Sequence, residues 1–330
     1  MTAEPIAARH VRKNSSRVKR WLSNPLGATG AMIVLVFAFT AIFAPMIATP
    51  QGSCARDLNV EEGARPAIFT LSFFVSIFAP PQSCFEIPQK SFAKTPTPPG
   101  EVAPLGTVNG YDIWYGLIWG SRTAFGLGIS IIGVTFLVGT LIGSLAGFYG
   151  GWLDDVLMRV TDIVFALPGF VLTVVLVTIL GQGLNSVIIS IILVGWAGYA
   201  RIMRGEVLRV RNLEYIEGAR ALGANDARII LRHVLPNSLT IISVQVALDF
   251  GSVVLTAAGL SFIGLGAPIG FADWGQLINF SQAFIIGPPG QPWAYWFVSF
   301  FPGLTILLWG LGWNFLGDAL RDALDPKSRS

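Results

Sequence analysis

Apolar residues fall in long runs along this chain, and polar residues gather between the runs. A helix that crosses a bilayer needs about 20 mostly apolar residues at about 1.5 Å of rise each. Six runs reach or approach that length: Thr29 to Ala48, Thr123 to Phe148, Val156 to Leu180, Leu184 to Ala200, Ser238 to Leu265 and Ala294 to Leu316. A further apolar stretch, Ala67 to Ala79, lies between Pro66 and Pro80 and is too short to span. The pattern predicts an all-α integral membrane protein with six transmembrane helices. Residues 1–28 form a leading tail, 29–48 the first helix and 49–122 a long loop. Residues 123–318 form the core, with a polar loop at 201–236, and residues 319–330 a closing tail.

Charge sets the orientation, because Lys and Arg collect on the cytoplasmic side of spanning segments. The leading tail carries Arg9, Arg12, Lys13, Arg17, Lys19 and Arg20. The polar loop carries Arg201, Arg204, Arg209, Arg211, Arg220, Arg228 and Arg232, and the chain ends with Arg321, Lys327 and Arg329. Six spans put all three basic regions, and both termini, in the cytoplasm. Counting Ala67 to Ala79 as a span would put the second and third outside, so that stretch is read as an interfacial or packed extracytoplasmic segment. A basic tail before an apolar run also fits a secretory signal. This run is long for a signal core and no small-x-small cleavage site follows it, so an uncleaved first span is expected.

Composition agrees: 53% of residues are hydrophobic and 12% charged, against about 25% charged in a soluble domain. Mean hydropathy is +0.63 and the pI about 9.0. The basic balance follows from topology. With no aromatic-interleaved basic platform, nucleic acid is not a predicted partner; the lipid bilayer is.

The loop between the first two spans is rich in proline and slightly acidic, and holds both cysteines, Cys54 and Cys84. An isolated pair in an extracytoplasmic compartment reads as a disulfide, with two unpaired thiols as the alternative. A bridge there would stabilise the loop by about 3–4 kcal/mol on the chain-entropy estimate.

The polar loop carries the most information. From Glu206 onward, Leu208, Tyr215, Ala219 and Leu222 recur at helical spacing opposite Arg209, Arg211 and Arg220, which predicts a short surface helix. Gly223 offers the left-handed position that a helix C-terminus often needs. Asn225 is placed to cap a second helix with Asp226 in its first turn, and Pro236 marks the start of the fifth span. A force on this helix-turn-helix would move the membrane helix behind it.

Glu217-Gly218-Ala219, then Gly223, then His233-Val234-Leu235-Pro236 resembles, at the same spacing, the cytoplasmic signature of permease subunits of ATP-binding-cassette importers, Glu-Ala-Ala…Gly…Ile-x-Leu-Pro. Gly218 and His233 depart from that pattern but leave its turn and helix start intact. Pro104-Leu-Gly-Thr107, Leu117-Ile-Trp-Gly-Ser-Arg122, Gly147-Phe-Tyr-Gly-Gly-Trp-Leu-Asp154, Leu260-Ser-Phe-Ile-Gly-Leu-Gly266, Asp273-Trp-Gly-Gln276 and the close from Asn314 to Pro326 are similar to the second permease type of the dipeptide, oligopeptide and nickel branch. The resemblance covers Trp21 to Thr49 and Ala103 to Arg329. Val108-Asn-Gly-Tyr-Asp112 stands where the branch has Asp-x-x-Gly-Arg-Asp, and so lacks a basic residue. The resemblance implies a type I importer permease fold in a bacterial or archaeal cytoplasmic membrane. It implies a second homologous permease, two cytoplasmic ATPases and an extracytoplasmic solute-binding protein as partners. The segment Glu214 to Gly223 would be the coupling helix. Glu217, Gly218, Ala219 and Gly223 would meet an ATPase, and Leu235 and Pro236 would carry motion into the fifth span. Cargo would be a di- or oligopeptide, with nickel complexes or another small solute as the alternative.

Other residues keep plainer readings. No Gly-x-x-x-x-Gly-Lys phosphate loop occurs, so the chain is expected to be no enzyme, with ATP and Mg held by partner subunits and no cofactor of its own. His10 and His233 have no ligand cluster around them, so no metal site is expected. The absence of a Gly-x-Ser-x-Gly elbow argues against a membrane protease. Gly139, Gly143 and Gly147, four apart, suit close helix packing in lipid. Asp249 interrupts the fifth span, where a charge costs about 2.5–3.5 kcal/mol; it would line the translocation pathway or join an interhelical hydrogen bond. Arg159 and Asp162 are placed to pair at i,i+3. An ion-coupled secondary transporter is the competing class, but its usual intramembrane charge clusters are few here.

Overall fold

In a computed structural model the chain is a bundle of long helices, described over residues 25–66 and 70–324. The basic leading tail with His10, residues 67–69 of the expected interfacial segment, and the residues after Leu324 lie outside the described residues. The long helices are α1 (Pro25–Ile42), α5 (Ile113–Tyr149), α8 (Leu184–Arg211), α11 (Leu235–Phe262) and α13 (Trp296–Leu324). Each has the length and composition to cross a bilayer. The protein is therefore a multi-pass membrane protein.

Several boundaries differ from the sequence reading. α1 stops at Ile42, and α2 (Ala44–Ile47) follows with Pro45 in its first turn. α5 starts at Ile113, ten residues early, because Asp112 caps it by accepting from the Tyr115 amide at 3.3 Å. Its 37 residues rise about 55 Å, well beyond a hydrocarbon core of about 30 Å. The third expected span is not one helix. It is α6 (Gly151–Phe165) and α7 (Gly169–Leu180), bent by 85° between them, with Pro168 at the start of α7. Neither half alone has the length to span.

α5 and α8 form the spine. A Cβ added at Gly139 would meet Trp196 O at 2.6 Å, one at Gly143 the Met203 Cβ at 2.7 Å, and one at Gly147 Arg204 O at 2.8 Å. Glycine spacing lets the two backbones touch over the lower half of both helices. α1 packs on α13 the same way, through Gly30 against Leu316 and Gly312 against Ile33. Its other face, with Met32, Leu35, Val36 and Phe39, is exposed.

At the end of the bundle that carries the cysteines, a core of Trp119, Trp274, Trp309, Tyr115 and Phe297 is closed by the long loop. Each buried indole donates to a carbonyl: Trp119 to Ala48 O, Trp274 to Leu117 O and Trp309 to Phe250 O, at 3.0–3.2 Å. The loop holds α3 (Gly52–Asp57) and α4 (Leu71–Phe78). Cys54 and Cys84 are joined by a disulfide. The chain then runs extended past residues 270–272, with Ile87 N donating to Gly270 O (2.7 Å) and Ala272 N to Phe85 O (2.6 Å). α4, with eight residues, is far below span length, and Arg122 of α5 donates to the Ser76 and Ile77 carbonyls near its C-terminus. β1 (Thr107–Val108) and β2 (Tyr111–Asp112) pair antiparallel. Asn109 and Gly110, with φ of 51° and 82°, make the two-residue turn that suits a twisted hairpin.

Candidate functional site

The opposite end of the bundle carries the arginine-rich loop. α8 continues past Ala200 because Met203, Val207 and Val210 are buried there, against Phe148 of α5 and the loop. The helix ends at Arg211, and Asn212 and Leu213 turn the chain into α9 (Glu214–Ala221). The expected single stripe through Leu208, Tyr215, Ala219 and Leu222 is therefore broken, since a turn separates Leu208 from the rest. Ile216, 1% exposed, is the residue that anchors α9, while Leu222 is 91% exposed. Glu217 and Gly218 face outward, Ala219 is half-buried, and Tyr215 is exposed with its hydroxyl 3.1 Å from Asn237 Nδ2.

The turn after α9 is closed by its own backbone. Gly223 has φ +82°, its amide bonds Arg220 O at 3.0 Å, and the Ala224 amide reaches back to Ala219 O at 3.1 Å. These two bonds with a left-handed glycine between them form a Schellman cap. Asn225 then caps α10 (Asp226–Ile229) by accepting from the Arg228 amide at 2.9 Å. From α10 the helical path continues without a gap through a wide π turn, Ile230–Val234, into α11. Leu235 N bonds Ile230 O across that turn, and Pro236, which has no N–H to give, sits in the first turn of α11. The loop is thus continuous with a membrane helix, and the apolar cluster of Phe148, Met203, Val207, Val210, Ile216, Ile229, Val234 and Ile242 joins α5, α8, α9, α10 and α11.

Two glycines of this loop make a paired prediction. A Cβ at Gly218 meets nothing within 4 Å, so Gly218→Ala should stabilise α9 by up to about 1 kcal/mol through helix propensity. Gly223→Ala forces a side chain into the left-handed region and should cost about 1–2 kcal/mol. Hydrogen exchange of the α9 amides should slow in the first variant and quicken in the second; equal rates in both would mean the cap is not formed.

Arginines at the base of α8 make contacts that the sequence reading counted only as topology. Arg204 forks onto Asp154 of α6 at 2.5 and 2.6 Å. Arg211 donates to Gly147 O and Phe148 O at 2.8 and 2.9 Å, and Arg220 of α9 lies 6.0 Å over the Phe148 ring. Arg201 takes Asp162 at 2.6 Å, so Asp162 pairs across helices rather than with Arg159 as expected. The arginine positions were visible in the sequence, but their acidic partners lie about 40 to 50 residues away along the chain.

Asp249 sits part-buried in α11, accepting from Gln245 Nε2 at 2.9 Å and facing the Tyr199 hydroxyl of α8. An open apolar groove of about 440 Å³ runs beside it between α5 and α11, lined by Ile132, Phe136, Val246 and Phe250 among others. The Asp273-Trp-Gly-Gln276 motif is a loop lock. Asp273 caps α12 (Trp274–Ser281) through the Gln276 amide at 3.1 Å, and the Gln276 side chain ties Ala267 O, Pro268 O and Gly270 N. Burial pushes the Asp273 carboxyl up from its usual range.

Residues 139–330 match the family described as binding-protein-dependent transport system inner membrane component. The chain is 40% identical to the glutathione transport system permease protein GsiD of Pectobacterium atrosepticum over 67% of its length and 71% of the relative. It is 37% identical to the dipeptide transport system permease protein DppC of Alkalihalophilus pseudofirmus, over 80% of this chain and 84% of that one. It is 31% identical to the oligopeptide transport system permease protein OppC of Bacillus subtilis over 99% and 94% of the two chains. With its helical bundle and its loop continuous with a membrane helix, the chain belongs to the binding-protein-dependent inner membrane components, as an ATP-binding-cassette importer permease of the dipeptide/oligopeptide family, a transport subunit without an ATPase site of its own.

Proposed function

We propose that this chain forms half of a translocation pathway for small peptides and that α9 is the element an ATPase pushes. The observation that carries the reading is the rigid mounting of α9. It is anchored inside by Ile216, locked by the cap at Gly223, and joined by that one turn to α10, whose helical path runs unbroken into α11, while Leu222, Glu217 and Gly218 are left open to a partner. Glu217, Gly218, Ala219 and Gly223 form the contact, and Leu235 and Pro236 pass its displacement into α11. The arginine-rich end and both termini face the cytoplasm of a bacterial or archaeal cell, in keeping with the bias of Lys and Arg. The disulfide-bearing end faces the solute-binding protein, and a second homologous permease and two ATPases complete the assembly. Peptide cargo is supported by relatives named for glutathione, dipeptide and oligopeptide transport.

An introduced thiol tests the contact cleanly, since the chain has two cysteines and they are bridged. Cysteine at Leu222 should crosslink to the co-expressed ATPase, and Gly223→Pro, which cannot adopt the positive φ of the cap, should abolish dipeptide uptake. No crosslink together with normal uptake in Gly223→Pro would overturn the assignment.

A further inference from the structure

The bend at Ala166–Pro168 gives α6 an unusual position. α7 lies along α8, with Val174 and Val177 packed among Val187, Ile188 and Ile191. α6 leaves α7 at 85° and so crosses the base of α8 rather than following it. The ion pairs agree with that crossing. Asp154 and Asp162 are about 12 Å apart along α6, yet the arginines that take them, Arg204 and Arg201, are about 4.5 Å apart along α8. α6 has little apolar hold on the bundle. Thr161 is its one buried residue, and Trp152, Val156, Val160 and Ile163 form an exposed stripe. It follows α5 across the single residue Gly150, and its side-chain hydrogen bonds to α8 are charged ones. The Arg204–Asp154 fork is bidentate, and the Asp154 side chain is only 14% exposed, which is the geometry in which such a pair is strong. Arg201–Asp162 has both side chains more than half exposed and contributes little.

Arg204 also stands next to the coupling loop. It lies one turn before Val207 and two before Arg211, on the stretch of α8 that buries Ile216 and holds the C-terminal carbonyls of α5. Arg204 therefore stands between the packed side chains behind α9 and the Asp154 carboxylate of α6.

We propose that Arg204 and Asp154 are positioning residues that make α6 a lever fixed to the coupling end of α8, swinging about the Ala166–Pro168 bend when α9 is displaced. The proposal rests on α9 being the coupling helix, and adds a second output to it: motion passes into α6 as well as into α11. The fork acts through α6 and touches no solute.

The test uses the assembled transporter in native membrane vesicles, with a nitroxide on cysteine replacing Trp152, which is 77% exposed. Its spectrum is taken with and without trapping of the ATPases by ATP and vanadate. Asp154→Arg, Arg204→Asp and the double exchange are compared, each also carrying out uptake of a labelled dipeptide and, in a separate Leu222→Cys set, crosslinking to the ATPase. The lever predicts a trapping-dependent spectral change in the parent and its loss in both single variants. ATP hydrolysis per dipeptide should rise about tenfold in the single variants, and the double exchange should restore both measures. Crosslinking should persist throughout. A spectral change that survives in the single variants overturns the lever. So does a double exchange that restores only assembly, which would make the pair a structural brace. Loss of crosslinking in the parent would instead strike the coupling assignment beneath it, and the lever with it.

Discussion

Replacing Gly143 by leucine is expected to remove the folded chain from the membrane. A Cβ at this position already falls 2.7 Å from the Met203 Cβ and 3.0 Å from Arg204 N, and closer still to Ala200 O. Overpacking a core costs about 1–3 kcal/mol when side chains can shift aside. Here two of the three obstructing atoms are backbone, and they yield only if α5 and α8 separate. Separation would also break the contacts at Gly139 and Gly147 and pull Arg211 from the α5 carbonyls. Gly126→Leu is the matched control, because it lies in the same helix with nothing within 4 Å of its added Cβ and gains about 1 kcal/mol of helix propensity. Gel filtration of a fluorescent fusion in mild detergent should give the parent profile for Gly126→Leu and aggregate or no peak for Gly143→Leu. A parent profile for Gly143→Leu would mean that the helix backbones are not in contact.

The spine was legible because close backbone approach leaves a periodic trace, glycine at every fourth position. The cap at Gly223 and Asn225 was legible for a related reason: both are local devices whose residues are neighbours in the chain. What stayed hidden was mostly non-local. The runs from Val156 to Leu180 read as one span because apolar length reports burial in lipid and says nothing of direction. Pro168 inside the run was the available sign of a break, since the residue before a proline is pushed out of helical geometry. The stripe drawn from Leu208 to Leu222 failed because periodicity was carried across Asn212, where α8 ends. The Asn109-Gly110 pair was seen as a departure from the family pattern, although Asn-Gly between extended residues is a strong hairpin signal. Arg204 and Asp154 could not be paired from sequence, because only the fold brings the two helices together.

Serine at both Cys54 and Cys84 is expected to free the long loop while leaving the helices in place. The bridge closes a separation of 30 residues, and its loss should cost that loop about 3–4 kcal/mol through the added freedom of the open chain. Much of what else holds the segment depends on the bridge being closed. Cys84 O accepts from the Tyr115 hydroxyl at 2.9 Å. The turn at Cys84 delivers Phe85 to its stack on Phe271, with ring centroids 5.6 Å apart, and to its backbone bond with Ala272. Once that turn is loose, the extended run through Ile87 loses its alignment with Gly270. The glycine-packed spine lies further down the bundle and shares none of these contacts, so the loss should be local. Trypsin added to the disulfide-bearing side reads it directly, because Arg56, Arg65, Lys90 and Lys94 are all in the segment. Cleavage should rise by a factor of roughly 150 to 900 on the free-energy estimate, while the gel-filtration profile of the uncut chain stays that of the parent. Reducing agent should reproduce the effect on the unaltered chain and add nothing to the serine variant. Equal cleavage with and without the bridge would show that the contacts to residues 270–272 and to Tyr115 hold the loop unaided.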